Sequence, residues 1–221
     1  MIDNRYNTSR STEMKDRKDG LAMSVRAERK LQSQQAILEQ VLTLSYAGQC
    51  FNSISLRQLA QAVGMVPSAF YRHFHDKEQL AAELVDQTSL MIKSHLVQIA
   101  EHVQHKNSDI LEKHLNVFCH QIQFKAAHWH FFIVERWNSS AFLQDKIQQE
   151  IKFLVDDLAQ VLRKKSGNLL QHQQQSEALA ALSLELHFAW VIKWLHSKSP
   201  DQKYQLLQCF IQQLQFIQLP Q

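Results

Sequence analysis

One short stretch, SLRQLAQAVGMVPSAFYRHFHDKEQL (residues 55–80), gathers side chains suited to a partner that is negatively charged and carries base edges. Arg72 can donate to two acceptors of a guanine edge, and Ser68 and Ala69 beside it are small enough for close approach. Tyr71 and His73 can reach phosphate oxygens from the flank. Ser55, Arg57 and Lys77 stand at helix starts, where free backbone N–H groups also favour phosphate. Upstream, Arg26, Arg29 and Lys30 could extend the footprint along the backbone or into the minor groove.

Such chemistry needs a short helix held at a set angle, and the same stretch contains the parts. Ser55 and Gln58 form an S-x-x-Q capping box that starts a helix over 55–62. Gly64 permits the left-handed backbone of a sharp bend, and Pro67 suits the first position of a second helix over 67–73. Leu56, Leu59, Ala60, Val63, Val66 and Phe70 supply an interior between them. This is a helix-turn-helix arrangement, whose second helix enters the DNA major groove. The competing reading is an ordinary helical hairpin. Local charge favours the first: residues 23–77 hold six Lys and Arg against three Asp and Glu, while residues 78–221 hold 13 against 14. A small nucleic-acid module needs that kind of excess.

The rest of the chain must carry and respond to this module. With 45% hydrophobic residues but only four Gly and three Pro in 221, there is little turn chemistry for a sheet. The expectation is an all-α fold of about nine helices: a three-helix N-terminal reader over 23–76 and a larger helical domain over 77–221. Helices are expected near 25–48, 76–105, 108–124, 126–137, 140–165 and 176–197, with a Gln-rich link at 167–175. Ser199-Pro200-Asp201-Gln202 marks the start of the last one. Residues 1–22 are polar and lack helical period. They read as a disordered tail, or an extension upstream of a natural start at Met23.

Two segments, 128–137 (HWHFFIVERW) and 182–195 (LSLELHFAWVIKWL), are apolar on most sides and must be buried on several faces. The second, with the final helix, is expected to form a four-helix dimer interface through Trp190, Trp194, Leu207, Phe210, Ile211 and Leu214. A ligand cavity is expected among Phe118, Phe124, Trp129, Phe131, Phe132, Phe153, Phe188 and Trp190, with Glu135, Arg136 and His187 as polar anchors. Solid core is the alternative for each ring, and an ion pair with Glu135 the alternative for Arg136. Cys50, Cys119 and Cys209 each adjoin apolar residues and read as buried free thiols of a reducing compartment. The N-terminus does not look like a signal peptide, and no run approaches 18 apolar residues, so a cytoplasmic location is expected. His102 with His105, and His128 with His130, have partly suitable metal-ligand spacing but no accompanying cluster. No catalytic motif is visible, and neither a metal, a cofactor nor enzymatic activity is expected.

The segment ISLRQLAQAVGMVPSAFYRHFHDKEQL, with the Phe-Tyr-x-x-Phe of Phe70, Tyr71 and Phe74, resembles the DNA-binding signature of TetR/AcrR-family transcriptional regulators. The resemblance implies an all-α homodimer that binds a palindromic operator and a small-molecule effector, usually as a repressor. It also implies phosphate contacts for Ser55, Tyr71 and Lys77, and a dimer interface in the last two helices. MSVRAERK at 23, FYRHFHDKEQL at 70, LVDQTSLM ending at 91 and ERWNSSAF at 135–142 are similar to the fatty-acid biosynthesis repressors of the FabR/DesT branch. Trp137-Asn138 stands where smaller residues are usual there. This narrower similarity implies a long-chain acyl thioester (acyl-CoA or acyl carrier protein) as effector. Two other readings stand beside it. One is a repressor of a multidrug efflux pump, with Glu135 or Glu185 as counter-charge to a cationic lipophile. The other is a helical enzyme or lipid carrier in which the helix-turn-helix is incidental.

Overall fold

Capping and hydrophobic period place the helices, and the computed structural model describes them over residues 6–102, 108–166 and 173–217. The elements are α1 (Tyr6–Tyr46), a 3-10 turn (Phe51–Ser53), α2 (Leu56–Ala62), α3 (Pro67–Phe70), α4 (Lys77–His102), α5 (Ser108–Phe124), α6 (Ala126–Asn138), α7 (Ala141–Ser166), α8 (Gln173–His196) and α9 (Pro200–Ile217). No strand occurs among the described residues, and the all-α expectation holds. Of the Gln-rich link expected at 167–175, residues 167–172 lie outside the described residues, as does His105, and residues 173–175 are corrected, since they open α8.

The expected disorder of residues 1–22 is corrected for residues 6–22, where α1 continues back to Tyr6. Once Ile37, Leu38, Val41 and Leu42 anchor the helix in the core, adding a residue fixes one pair of dihedrals for one hydrogen bond. Glu13, Met14, Lys15, Arg17 and Lys18 are good helix formers, so propagation needs no buried face.

Two glycines end helices where the backbone turns left-handed, Gly48 at φ +94 and Gly64 at φ +71. Beside each, a later amide closes the helix end: Gln49 N–H donates to the Leu44 carbonyl at 3.0 Å and Met65 N–H to the Ala60 carbonyl at 2.9 Å. α1 packs on α2 and α6, and α2 on α3; Phe51, Ile54, Leu59, Phe70, Phe74 and, from the first turn of α4, Leu80 are buried in one cluster there. Behind them α4 lies along α7, joined by Lys146 to Asp86 at 2.6 Å and by Lys93 to Asp157 at 2.7 Å. The buried cluster runs without a break from this end into the body, so the boundary at 76/77 is not a gap in the core.

The six residues expected at a dimer interface are corrected. Trp190, Trp194, Leu207, Phe210, Ile211 and Leu214 are all buried within a single chain. Trp190 stacks on Phe210 at 4.3 Å between centroids, and its indole N–H donates to the Leu206 carbonyl at 2.9 Å. A helix apolar on both sides does not reveal which side faces its own core, and the larger rings took the inside. The opposite side of α8 leaves Ala178, Leu182, Glu185, Ala189 and Lys193 exposed. By length and composition α8 could cross a bilayer; here Leu184, His187, Phe188 and Val191 bury it in the bundle. Of the thiols, Cys119 is buried, Cys50 partly buried and Cys209 exposed, so the expectation of burial fails for Cys209.

Candidate functional site

The helix-turn-helix forms as its caps dictate. Ser55 Oγ accepts from Gln58 N–H at 3.1 Å, giving α2 its start. The return half of the box is diverted, because the Gln58 amide pairs with Gln49 at 3.0 Å instead. Pro67 opens α3, and turn bonds from Arg72 to the Ala69 carbonyl and from His73 to the Phe70 carbonyl carry it onward. Phe70 and Phe74 anchor it from below, with ring centroids 5.7 Å apart. Asp76 then caps α4 by accepting from Gln79 N–H at 2.7 Å, and that bond holds its carboxyl below the usual range.

This scaffold leaves an outward face. Arg57, Pro67, Ser68, Tyr71 and Arg72 are exposed, Ala69 partly so, and Tyr71 is 62% exposed although its ring edge touches Phe70. Val66, placed in the interior by pattern, is instead 64% exposed, and as N-cap of α3 it has extended rather than helical backbone. Arg26, Arg29 and Lys30 line the exposed side of α1.

Two residues of the expected DNA set do other work. His73 is half-buried against α1: its carbonyl accepts from the Gln34 amide at 3.1 Å, and its Nδ1 is buried without a protein partner. Burial first, then the charges of Lys30 and Arg72, push its pKa down, so two cationic side chains stand beside this imidazole. Lys77 turns inward. Its ammonium donates to the Phe51 carbonyl and, at 3.0 Å, to the Asn52 carbonyl, lies 4.5 Å from the Phe51 ring centre, and is lowered in pKa by burial. A Lys at a helix start looks free in sequence, and only the fold shows carbonyls of the 3-10 turn within its reach.

Glu135 and Arg136 were expected in a cavity and are found at two different junctions. Glu135, 2% exposed, accepts from Phe51 N–H at 3.0 Å and Ser45 Oγ at 3.4 Å, tying α6 to the end of α1 and the turn before α2. Cys50 Sγ lies 3.8 Å from the same carboxylate. Arg136 makes a bidentate pair with Glu185 of α8 at 2.8 and 2.9 Å, and packs over Trp137 and Phe188. Its partner is therefore Glu185 and not Glu135. Successive residues of α6 thus reach the reading end and the α8 side.

Of the expected cavity rings, Phe118, Trp129, Phe131, Phe132, Phe188 and Trp190 are buried together, as is His187. Phe153 and Phe124 are corrected: at 49% and 85% exposure they face outward from α7 and the end of α5. Burial holds the imidazoles of His187 and His128 near a pKa of about 4.

Residues 47–84 match the family described as bacterial regulatory proteins, tetR family. The whole chain is similar in fold to a TetR-family regulator from Agrobacterium tumefaciens, at 15% identity and a TM-score of 0.60, covering 83% of this chain and 98% of that one. It is similar to the fatty acid degradation regulator FadR from Bacillus halodurans, at 15% identity and 0.55, covering 83% and 93%. It is also similar to Thermus thermophilus FadR, described as a repressor in complex with lauroyl-CoA, at 14% identity and 0.53, covering 85% and 96%. The fold is that of TetR-type regulators, with the helix-turn-helix at 47–84 and a larger helical C-terminal domain.

Proposed function

We propose that the chain is a dimeric, cytoplasmic transcriptional repressor that reads a palindromic operator through α2 and α3 and answers a long-chain acyl thioester. The observation that carries DNA reading is the exposed Tyr71 and Arg72 on a short helix locked from below by Phe70 and Phe74, with cationic Lys30 alongside. Arg72 reads a guanine edge, Ser68 and Ala69 stand against neighbouring bases, and Tyr71, Arg57 and the α2 amides at Ser55 hold phosphates. Arg26, Arg29 and Lys30 follow the adjoining backbone. Phosphate arriving at this cationic patch is favoured by every charge in it, so affinity falls steeply with salt.

Dimerisation uses the outer side of α8 and α9. A groove of about 580 Å³ between them, lined by Lys193, His196, Gln205, Leu206 and Cys209, continues the exposed Leu182–Ala189 side. The acyl-thioester reading draws on the buried ring cluster, on the similarity of ERWNSSAF, and on a FadR of the same fold described with lauroyl-CoA. The efflux reading has less behind it, since Glu135 is engaged by Phe51 and Glu185 by Arg136. Ligand acts by shifting the population between two spacings of the readers, as far as its affinity differs between them. Glu135 transmits that shift, being the buried link from α6 to the reading end.

An operator selected from a random duplex library, then titrated with saturated and unsaturated acyl-CoA and with a cationic dye, tests this. Acyl-CoA alone changing operator affinity supports the reading. A response to the dye alone replaces the effector, and no selected operator at low salt removes the regulator.

A further inference from the structure

Phe51 is held at four points where the reading end joins the body. It stands in the 3-10 turn between α1 and α2 and is 3% exposed. Its N–H donates to Glu135 of α6 at 3.0 Å, and its carbonyl accepts from the Lys77 ammonium at the start of α4. The same ammonium donates to the Asn52 carbonyl at 3.0 Å and lies 4.5 Å from the Phe51 ring centre. The ring also meets Phe131 of α6 edge-on at 6.1 Å. A buried carboxylate and a partly buried ammonium thus grip the two ends of one residue's backbone.

The placement of these bonds matters as much as their number. Among the described residues, the hydrogen bonds that cross from residues 25–76 to α6 all end on Glu135 or Asn138. Ser45, Cys50 and Phe51 meet the Glu135 carboxylate, and Cys50 Sγ meets the Asn138 carbonyl at 3.0 Å. The rest of the contact between α1 and α6 is packing, which resists separation but is not directional. Hydrogen bonds have a preferred line, so they set an angle. Charge reaches across the same point. Burial lowers the pKa of Lys77, while Cys50 and Glu135 act to raise it. The chain leaves the reader through α4, so the reader can turn about that helix unless another element stops it. Phe51, gripped from α4 and from α6, is placed to do so. A dimer reads two half-sites at a set separation and rotation. One added base pair shifts the second half-site by about 3.4 Å and turns it by about 35°. A reader fixed at one angle cannot follow without deforming the DNA.

We propose that Lys77, Phe51 and Glu135 form one joint that fixes the angle of each reader, and that this joint sets the half-site spacing the dimer accepts. Lys77 and Glu135 are positioning residues: both act on DNA through Phe51 and the turn that carries it. The inference rests on the reading of the chain as a dimer with two readers, and adds to it the residues that select operator geometry.

The test uses the full chain and an operator selected from a random duplex library. Beside it stand versions one base pair longer and one shorter between the half-sites, and a duplex holding a single half-site. Wild type is expected to bind either altered spacing about tenfold or more weaker, since the DNA must deform to fit. Lys77→Met keeps an apolar stem and removes the donors, and Glu135→Ala removes the acceptor. In each the spacing penalty should fall to about twofold, with half-site affinity within about twofold of wild type, because the reading face is untouched. The double variant should be no more tolerant than either single one, as both act on one residue. Glu135→Gln still accepts from Phe51 N–H and should keep the wild-type penalty. A wild type indifferent to spacing, a full penalty in Lys77→Met, or a half-site affinity that falls in step with the penalty would each overturn the proposal and leave the regulator reading in place. Should Glu135→Ala not fold, Lys77→Met and Glu135→Gln decide. No operator selected at low salt removes the regulator reading, and the proposal with it.

Discussion

At the reading end, two helix starts have a cap a few residues away, Ser55 for Gln58 N–H and Asp76 for Gln79 N–H, and α3 starts on Pro67 instead. Arg57, Tyr71 and Arg72 point outward there, while His73 Nδ1 is buried without a partner among the described residues. In the body the balance is reversed. Its rings are buried together, and Trp129, His95 and His187 hold buried polar atoms with no partner among the described residues. The first region turns cationic side chains outward, and the second buries its rings. Glu135 joins them with a carboxylate that belongs to α6 and bonds that belong to the reader.

The contrast can be broken most forcefully in the reader's core. Phe70→Ala leaves a cavity under α3 at a site that is 0% exposed, and should cost about 3–5 kcal/mol in urea unfolding. Phe153→Ala, on the half-exposed side of α7, should cost under about 1 kcal/mol. Equal costs would mean the reader's interior is not the tightly packed one described.

Acid acts next, and on the body. The folded pKa of His187 is depressed from 6.5 to about 4, so the unfolded chain binds a proton first as pH falls. Stability from this group is complete above about pH 6.5 and is lost towards pH 4, at up to about 1.4 kcal/mol per pH unit. His128, also held near 4, loses in the same direction. Unfolding measured across that window in His187→Phe should show a shallower slope than wild type.

Glu135→Ala strips the partner from the buried Phe51 N–H and should cost about 1–3 kcal/mol. Its sharper signature is functional: operator binding persists while the response to effector shrinks. The smallest effect is expected from Ser55→Ala, about 1 kcal/mol for a lost helix cap, read by thermal unfolding.

The same contrast governs how much could be read in advance. Caps and breakers are local, so Ser55, Gly64, Pro67, Asp76 and Pro200 marked helix limits that the structure repeats within a few residues. The direction of a long side chain is not local. Lys77 finds carbonyls of the 3-10 turn 25 and 26 residues before it, and nothing near it in the chain says so. Two-sided apolar helices defeat pattern for another reason. In α8 both faces are apolar enough to bury, so Trp190 could be interface or core until its stacking on Phe210 is seen. Glu135 and Arg136 are neighbours of opposite charge in sequence, and helical geometry sends them to different partners.

The account stands or falls on the outward face of α3, and the salt dependence of operator affinity tests it directly, in wild type, Arg72→Ala and Lys77→Ala. A steep fall in wild type, a weaker and shallower one in Arg72→Ala, and a slope unchanged in Lys77→Ala are predicted, since Arg72 is exposed just after α3 and Lys77 faces the 3-10 turn. Affinity indifferent to salt, or Arg72→Ala binding as wild type does, would contradict it.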